Sequence, residues 1–281
     1  MESVPAPGPP GPGHDDHGAP DEPPRERTWV VWMTLRLWRV GRDIELMHRA
    51  LGFSALGLVT LVPLLIVVAA ASARGRQGFV AWLRAGLGVS GRSAQAVDQL
   101  FSAPSTVLST ATVLGLAALA VFGVTFVGSI QVGYERIWGV KSAPWHATWR
   151  QAIALGVLIG YVLVAANSRH LFAGTIIEPG LHISVTVVGG VAFFWWFQYF
   201  LLCERVPASR LLPGALATVA GLVGLRFFST WFFAPWIVSS AVSYGQIGTV
   251  LVVQSWLIGT GFVIYAGALF GWALREREAS R

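Results

Sequence analysis

Six apolar stretches decide what this 281-residue chain can fold into. They lie near residues 50–73, 105–130, 151–172, 181–203, 211–236 and 247–273. A helix rises about 1.5 Å per residue, so roughly 20 residues cross the ~30 Å hydrocarbon core of a bilayer, and these stretches reach or approach that length. Lipid offers the backbone no hydrogen-bond partner and strand-like alternation is absent, so the stretches are expected to be helices. Outside the N-terminal tail, Pro104, Pro144, Pro179, Pro207, Pro213 and Pro235 stand at or near segment ends. Pro63 falls inside the first stretch, where its missing N–H predicts a kink. Hydrophobic residues make up 54% of the chain and charged residues 12%, whereas a water-facing globule carries roughly 25% charged. The expectation is an all-α integral membrane protein with six transmembrane helices. The single cysteine, Cys203, excludes an internal disulfide and any multi-cysteine metal site.

Residues 1–27 hold eight of the fifteen prolines and no periodic pattern, so they read as a disordered cytoplasmic tail. They lack an apolar core and a small-residue cleavage site, so no signal peptide is expected. Residues 28–43 are basic and aromatic, and Arg36, Arg39 and Asp43 share one strip of a helix that either lies in the headgroup layer or extends the first span inward. Residues 44–275 form the membrane domain and 276–281 a short tail. With both termini cytoplasmic, fourteen of the twenty basic residues fall inside, five outside, and Arg226 within a span. The positive-inside rule favours that orientation. The first outer loop, 74–104, is basic, and Phe79, Trp82, Leu83, Leu87, Val97, Leu100 and Phe101 recur at helical spacing. Two short amphipathic helices are expected there, capping the outer mouth or lying on the outer leaflet.

The sequence resembles the YihY/BrkB family of bacterial inner-membrane proteins, once labelled ribonuclease BN, over most of residues 28–275 and most clearly in its last third. The resemblance rests on Pro207, Pro213, Gly214 and Ala215 at the start of the fifth helix. It rests also on Tyr244 and Gly245 at the start of the sixth, followed by Trp256 and the pair Gly267 and Ala268. The turn from Glu135 to Lys141 and the proline at Pro63 are similar to the family's as well. The sequence departs from the family at Leu269, where an acidic residue often follows the Gly-Ala pair, and in the first helix. The resemblance implies a six-helix fold, a role in envelope integrity, and transport of lipids or small solutes, with no mechanism attached.

Arg226 is the sharpest candidate, because a charge within a span costs several kcal/mol unless paired, hydrated or able to snorkel. Fifteen residues from Leu211 place it about 22 Å up the fifth helix, in the outer third of the core. Thr112, Thr186 and Gln254 fall at about the same level on the second, fourth and sixth helices. Either Arg226 snorkels, or the four residues ring an anion-binding cavity holding a phosphate or carboxylate. An Arg226 turned to the bilayer with Gln254 on another face would remove the second reading. All acids lie in the tail, loops or segment ends, so no buried ion pair is expected inside the bilayer. Gln198 and Asn167 read as interfacial or interhelical hydrogen-bonders, and Gly156 with Gly160 and Gly267 with Gly271 as close helix contacts. Trp138, Trp145, Trp149, Trp231, Trp236 and Trp272 fall near segment ends as interface anchors.

No catalytic residues, metal site or cofactor are expected. His14, Asp15, Asp16 and His17 have the residue types of a metal site but sit in a Pro-rich tail, and the other histidines are scattered on both sides of the membrane. The basic loops are explained by orientation, so no nucleic acid is expected as a partner. Neither an inverted repeat nor paired broken helices argue for an ion-coupled carrier. The expected function is a bacterial plasma-membrane transporter or translocase of an anionic or amphipathic substrate such as a phospholipid. The alternative is an envelope scaffold that moves nothing and works through partner proteins. Membrane lipids are the expected partners, with a second copy of the chain or envelope proteins also open.

Overall fold

The computed structural model describes residues 26–71, parts of 80–95, 108–141, 148–171 and 179–279. Residues 1–25 of the expected tail 1–27, with its His14–His17 run, and most of the loop 74–104 lie outside the described residues, while Glu26 and Arg27 already belong to the first helix. The helices are α1 (Glu26–Asp43), α2 (Leu46–Ala71), α3 (Leu108–Ile137), α4 (Thr148–Leu171), α5 (Pro179–Leu201) and α6 (Ala208–Ala279). Six stretches within α2 to α6 are long and apolar enough to cross a membrane.

The last two expected helices are joined in a way the sequence did not suggest. The backbone remains helical through all 72 residues of α6, which as a straight rod would run about 108 Å. Its own contacts show that it doubles back instead. A Cβ on Gly271 would meet Gly214, one on Gly221 would meet Val263, and one on Gly259 would meet Leu225. All three pairs are centred near residue 242, so α6 is an antiparallel hairpin. Its first arm is the span Ala208–Trp231 and its second the span Ile247–Glu276.

Small residues make that hairpin tight. A Cβ on Gly267 would collide with Thr218 Oγ1 and stand 2.7 Å from Thr218 N, and one on Gly271 would stand 2.7 Å from Gly214 Cα. The Gly267 and Gly271 pair therefore does mark a close helix contact. Gly156 and Gly160 do not, since a Cβ on either would meet nothing within 4 Å. Identical spacing has opposite meanings because α4 turns its glycines away from its neighbours.

Helix α1 and the end of α6 lie together at one end of the bundle. Arg36 of α1 pairs with Glu276 at the end of α6, N···O 2.6 Å. The end of α3 and the α5–α6 turn reach the same face, where Arg205 pairs with Glu135. The terminal-face half of the bundle is solidly packed around Tyr134, Leu201, Leu202 and Leu211, each with at most 0% exposure. α2, α4 and both arms of α6 add to the same cluster. Trp138, expected as an interface anchor, is buried in it, because the turn after α3 folds inward, while Trp149 and Trp231 are exposed as anchors would be. The side chains of Trp145 and Trp236 lie outside the described residues.

At the far face, Leu83 and Leu87 of the first long loop are buried against Val252, Val253 and Leu257 of the second arm. Ser229 Oγ donates to Leu87 O at 2.6 Å. This part of the loop thus caps the hairpin instead of lying out on the leaflet.

Candidate functional site

The packing is loose where the six spans approach the far face. A cavity of about 390 Å³ occupies the interior there, lined by α2 to α5, both arms of α6 and Leu83. Its terminal-face end is set by Phe53, Ile130, Phe197 and Ile264, and its far end by Leu64, Leu119, Thr186 and Arg226. Three of the helices cross it in eleven residue steps, Phe53 to Leu64, Leu119 to Ile130 and Thr186 to Phe197, which fixes a length of about 16 Å. Aromatic rings pack its deep wall, with Tyr161 stacked on Phe193 at 4.2 Å between centroids and Phe53 against Phe126 at 4.9 Å.

Most of the polar lining is spent locally. Thr60 donates to Leu56 O and Thr260 to Trp256 O, each one turn back in its own helix, so those hydroxyls offer a ligand little beyond a methyl and an acceptor. The charged side chain lining the cavity, among the described residues, is Arg226. No carboxylate pairs with it among those residues.

The ring of four polar groups is not formed. Arg226 and Thr186 line the same cavity, but Gln254 lies outside it and donates from Nε2 to Ser54 Oγ of α2 at 3.0 Å. One helical turn is 3.6 residues, so level with Arg226 does not mean facing it. Thr112 lies in α3, with its side chain outside the described residues. Arg226 is itself exposed, so the cavity wall at that point is also molecular surface. With Gln254 on another face and Arg226 exposed, the four-residue anion site is removed, and what remains is a single exposed arginine that also lines the cavity.

A partly buried ion pair that the sequence does not announce lies at the opposite end, where a span meets its turn. Glu135 is 3% exposed although it falls within the span Val113–Ile137. Arg205 Nη2 stands 2.8 Å from its Oε1, and Gln131 Nε2 donates to the same oxygen at 3.1 Å. Gln151 Nε2 of α4 in turn donates to Gln131 Oε1 at 3.0 Å. Arg205 also donates to Leu202 O and Lys141 O, so it ties the α3–α4 turn to the α5–α6 turn. Burying a carboxylate costs several kcal/mol, and these charge-assisted bonds offset it. The signal was present in the sequence as Gln131 and Glu135, four residues apart on one helix face.

The backbone prepares this clamp. After α3, Val140 N–H donates to Glu135 O and Gly139 N–H to Arg136 O, with Gly139 at φ +62°, a left-handed helix stop that brings Lys141 beside Arg205. After α5 the same pattern recurs without glycine. Glu204 N–H donates to Tyr199 O and Cys203 N–H to Phe200 O, with Cys203 at φ +54° and Glu204 at φ +61°.

Gln198 also differs from expectation. It is fully buried, not interfacial, and neither amide atom has a hydrogen-bond partner among the described residues. Gly214 makes room for it, since a Cβ there would stand 3.3 Å from Gln198 Oε1. Asn167 lies in α4 with its side chain outside the described residues, as are the side chains of Tyr244 and Pro235 in α6. Pro63 lies inside α2 and Pro213 inside the first arm, while Trp256 lines the cavity and Ala268 is fully buried in the core.

Fold and cavity together define a polytopic α-helical membrane protein enclosing a mostly apolar chamber with a cation at one end. The chain belongs to the family described as Virulence factor BrkB, whose profile matches residues 37–281. It is similar to a UPF0761 membrane protein of Chromobacterium violaceum, 28% identical over 181 residues, or 59% of this chain. The match spans 42% of that relative's length. No solved structure matches the chain.

Proposed function

We propose that this protein is a bacterial plasma-membrane translocase for an anionic amphipathic substrate such as a phospholipid, acting without catalytic chemistry and with both termini in the cytoplasm. The observation that carries the reading is the 390 Å³ chamber, apolar along its length and carrying Arg226 at its far end. Sites that bind small molecules are concave and mostly apolar, with a few polar groups that fix orientation, and this chamber has that character. A charge within a span, with no carboxylate paired to it among the described residues, is retained against a cost of several kcal/mol, which favours a role for it.

Movement across the membrane requires the terminal-face half to open. That half is held by the packed core and by Arg205, which links Glu135 and Lys141 across two turns. The clamp is the element that separates when substrate passes.

The test is flipping of headgroup-labelled phosphatidylglycerol, against labelled phosphatidylcholine, in proteoliposomes of the wild type and of folded Arg226→Leu. Faster movement of the anionic lipid, abolished by the substitution, is expected. Absence of protein-dependent movement of either lipid would replace this reading with that of an envelope scaffold acting through partner proteins.

A further inference from the structure

The exposed residues of the cavity wall are not scattered. Most lining residues are buried or half-buried, but Thr186, Val187, Val223 and Arg226 are exposed. The first two are on α5 and the last two on the first arm of α6, all toward the far face. The walls contributed by α2, α3, α4 and the second arm present no exposed lining residue among the described ones. An exposed wall confined to two neighbouring helices is a side opening, and at this depth it faces lipid tails.

Three dimensions of that opening agree with one occupant. The cavity is about 16 Å long, close to half of the ~30 Å hydrocarbon core, which is the depth of one leaflet. Arg226 lies five residues short of Trp231, the end of its span, so it stands about 7.5 Å below that end, within reach of the headgroup layer for a long side chain. Below it the wall is aromatic and aliphatic, with Thr60 and Thr260 already donating to their own helices. Such a wall accepts a hydrocarbon chain and gives a hydrated anion nothing to replace its water.

We infer that the slot between α5 and the first arm of α6 is a lateral portal through which one acyl chain of an anionic lipid enters the cavity from the far leaflet, its headgroup phosphate held by Arg226. This deepens the translocase reading and rests on it for the identity of the cargo class. It adds the leaflet from which the lipid comes, the route, and the orientation, tail toward Phe197 and headgroup at Arg226. Val187 and Val223 are the portal's two lips. The guanidinium supplies a charge-assisted contact to phosphate, which a zwitterionic headgroup offers less freely because its own ammonium competes.

The experiment uses the full chain in proteoliposomes doped with phosphatidylglycerol carrying a mid-chain photoactivatable diazirine, with labelled residues located by mass spectrometry. Labelling is expected inside the cavity, around Phe193, Phe197 and Ile264. Unlabelled phosphatidylglycerol should compete for it, and inorganic phosphate should not. Arg226→Gln should lower it on the order of tenfold, the loss of one charge-assisted contact. Val223→Trp, a change at an exposed lip that leaves the core untouched, should lower it while the protein stays monodisperse. Labelling confined to outward-facing residues such as Leu216 and Leu251 would overturn the proposal. Competition by inorganic phosphate would overturn it too, marking Arg226 as a site for soluble anions. Cavity labelling without flipping would leave the portal standing and sink the translocase reading, and flipping without cavity labelling would do the reverse.

Discussion

Gly267→Ala separates the two glycine pairs that the sequence presents alike. The added methyl would collide with Thr218 Oγ1 and lie 2.7 Å from Thr218 N and 2.8 Å from Thr218 Cα. Carbon atoms pack best at about 3.5–4.0 Å, so the arms of α6 must part by on the order of 1 Å around this point. Rotating the Thr218 hydroxyl away relieves only the first contact, because the other two are backbone. Overpacking of this kind costs about 1–3 kcal/mol, and the rigid obstruction places this case toward the upper end. Gly271→Ala meets the Gly214 backbone at 2.7 Å and should behave similarly. Gly156→Ala and Gly160→Ala meet nothing within 4 Å, and alanine is the better helix former by up to about 1 kcal/mol, so they should be neutral or stabilising. The assay is reversible unfolding in mixed micelles, read as the shift of the midpoint for the four single variants. Equal shifts for the two pairs, or an unperturbed Gly267→Ala, would refute the hairpin packing described above.

The clamp predicts an asymmetry. Arg205→Ala strands a carboxylate that is 3% exposed and should destabilise by about 3 kcal/mol, discounted from a fully buried pair because Arg205 is 29% exposed. Glu135→Gln keeps a side chain that can still bond Gln131 and should cost less, and the same unfolding assay compares the two. If the clamp restrains opening, Glu135→Gln should also raise the flipping rate in proteoliposomes, whereas a purely structural contact would leave it level or lower. Cys203→Gly relieves a left-handed residue at the end of α5 and should stabilise by about 0.5–1 kcal/mol, seen as a raised unfolding midpoint. Ser229→Ala removes the hydrogen bond to Leu87 O and should cost about 1 kcal/mol, with faster amide exchange around residues 83–87 as the local readout.

The sequence carries the spans because hydropathy over twenty residues is a local sum that no packing arrangement changes. It also carries Arg226, since a lone charge in an apolar run needs no partner to be noticed. It does not carry facing. Gln254 is expected to face Arg226 but bonds Ser54, and Gly156 has the spacing of Gly267 without its neighbour. Nor does it carry the burial of Glu135, because a residue at a segment end reads as wet until the following turn folds over it. The six spans and the residue types were thus written locally by hydropathy. The chamber, its side opening and the buried clamp were decided only when the helices took their rotations about one another, since burial depends on which side chains face across an interface.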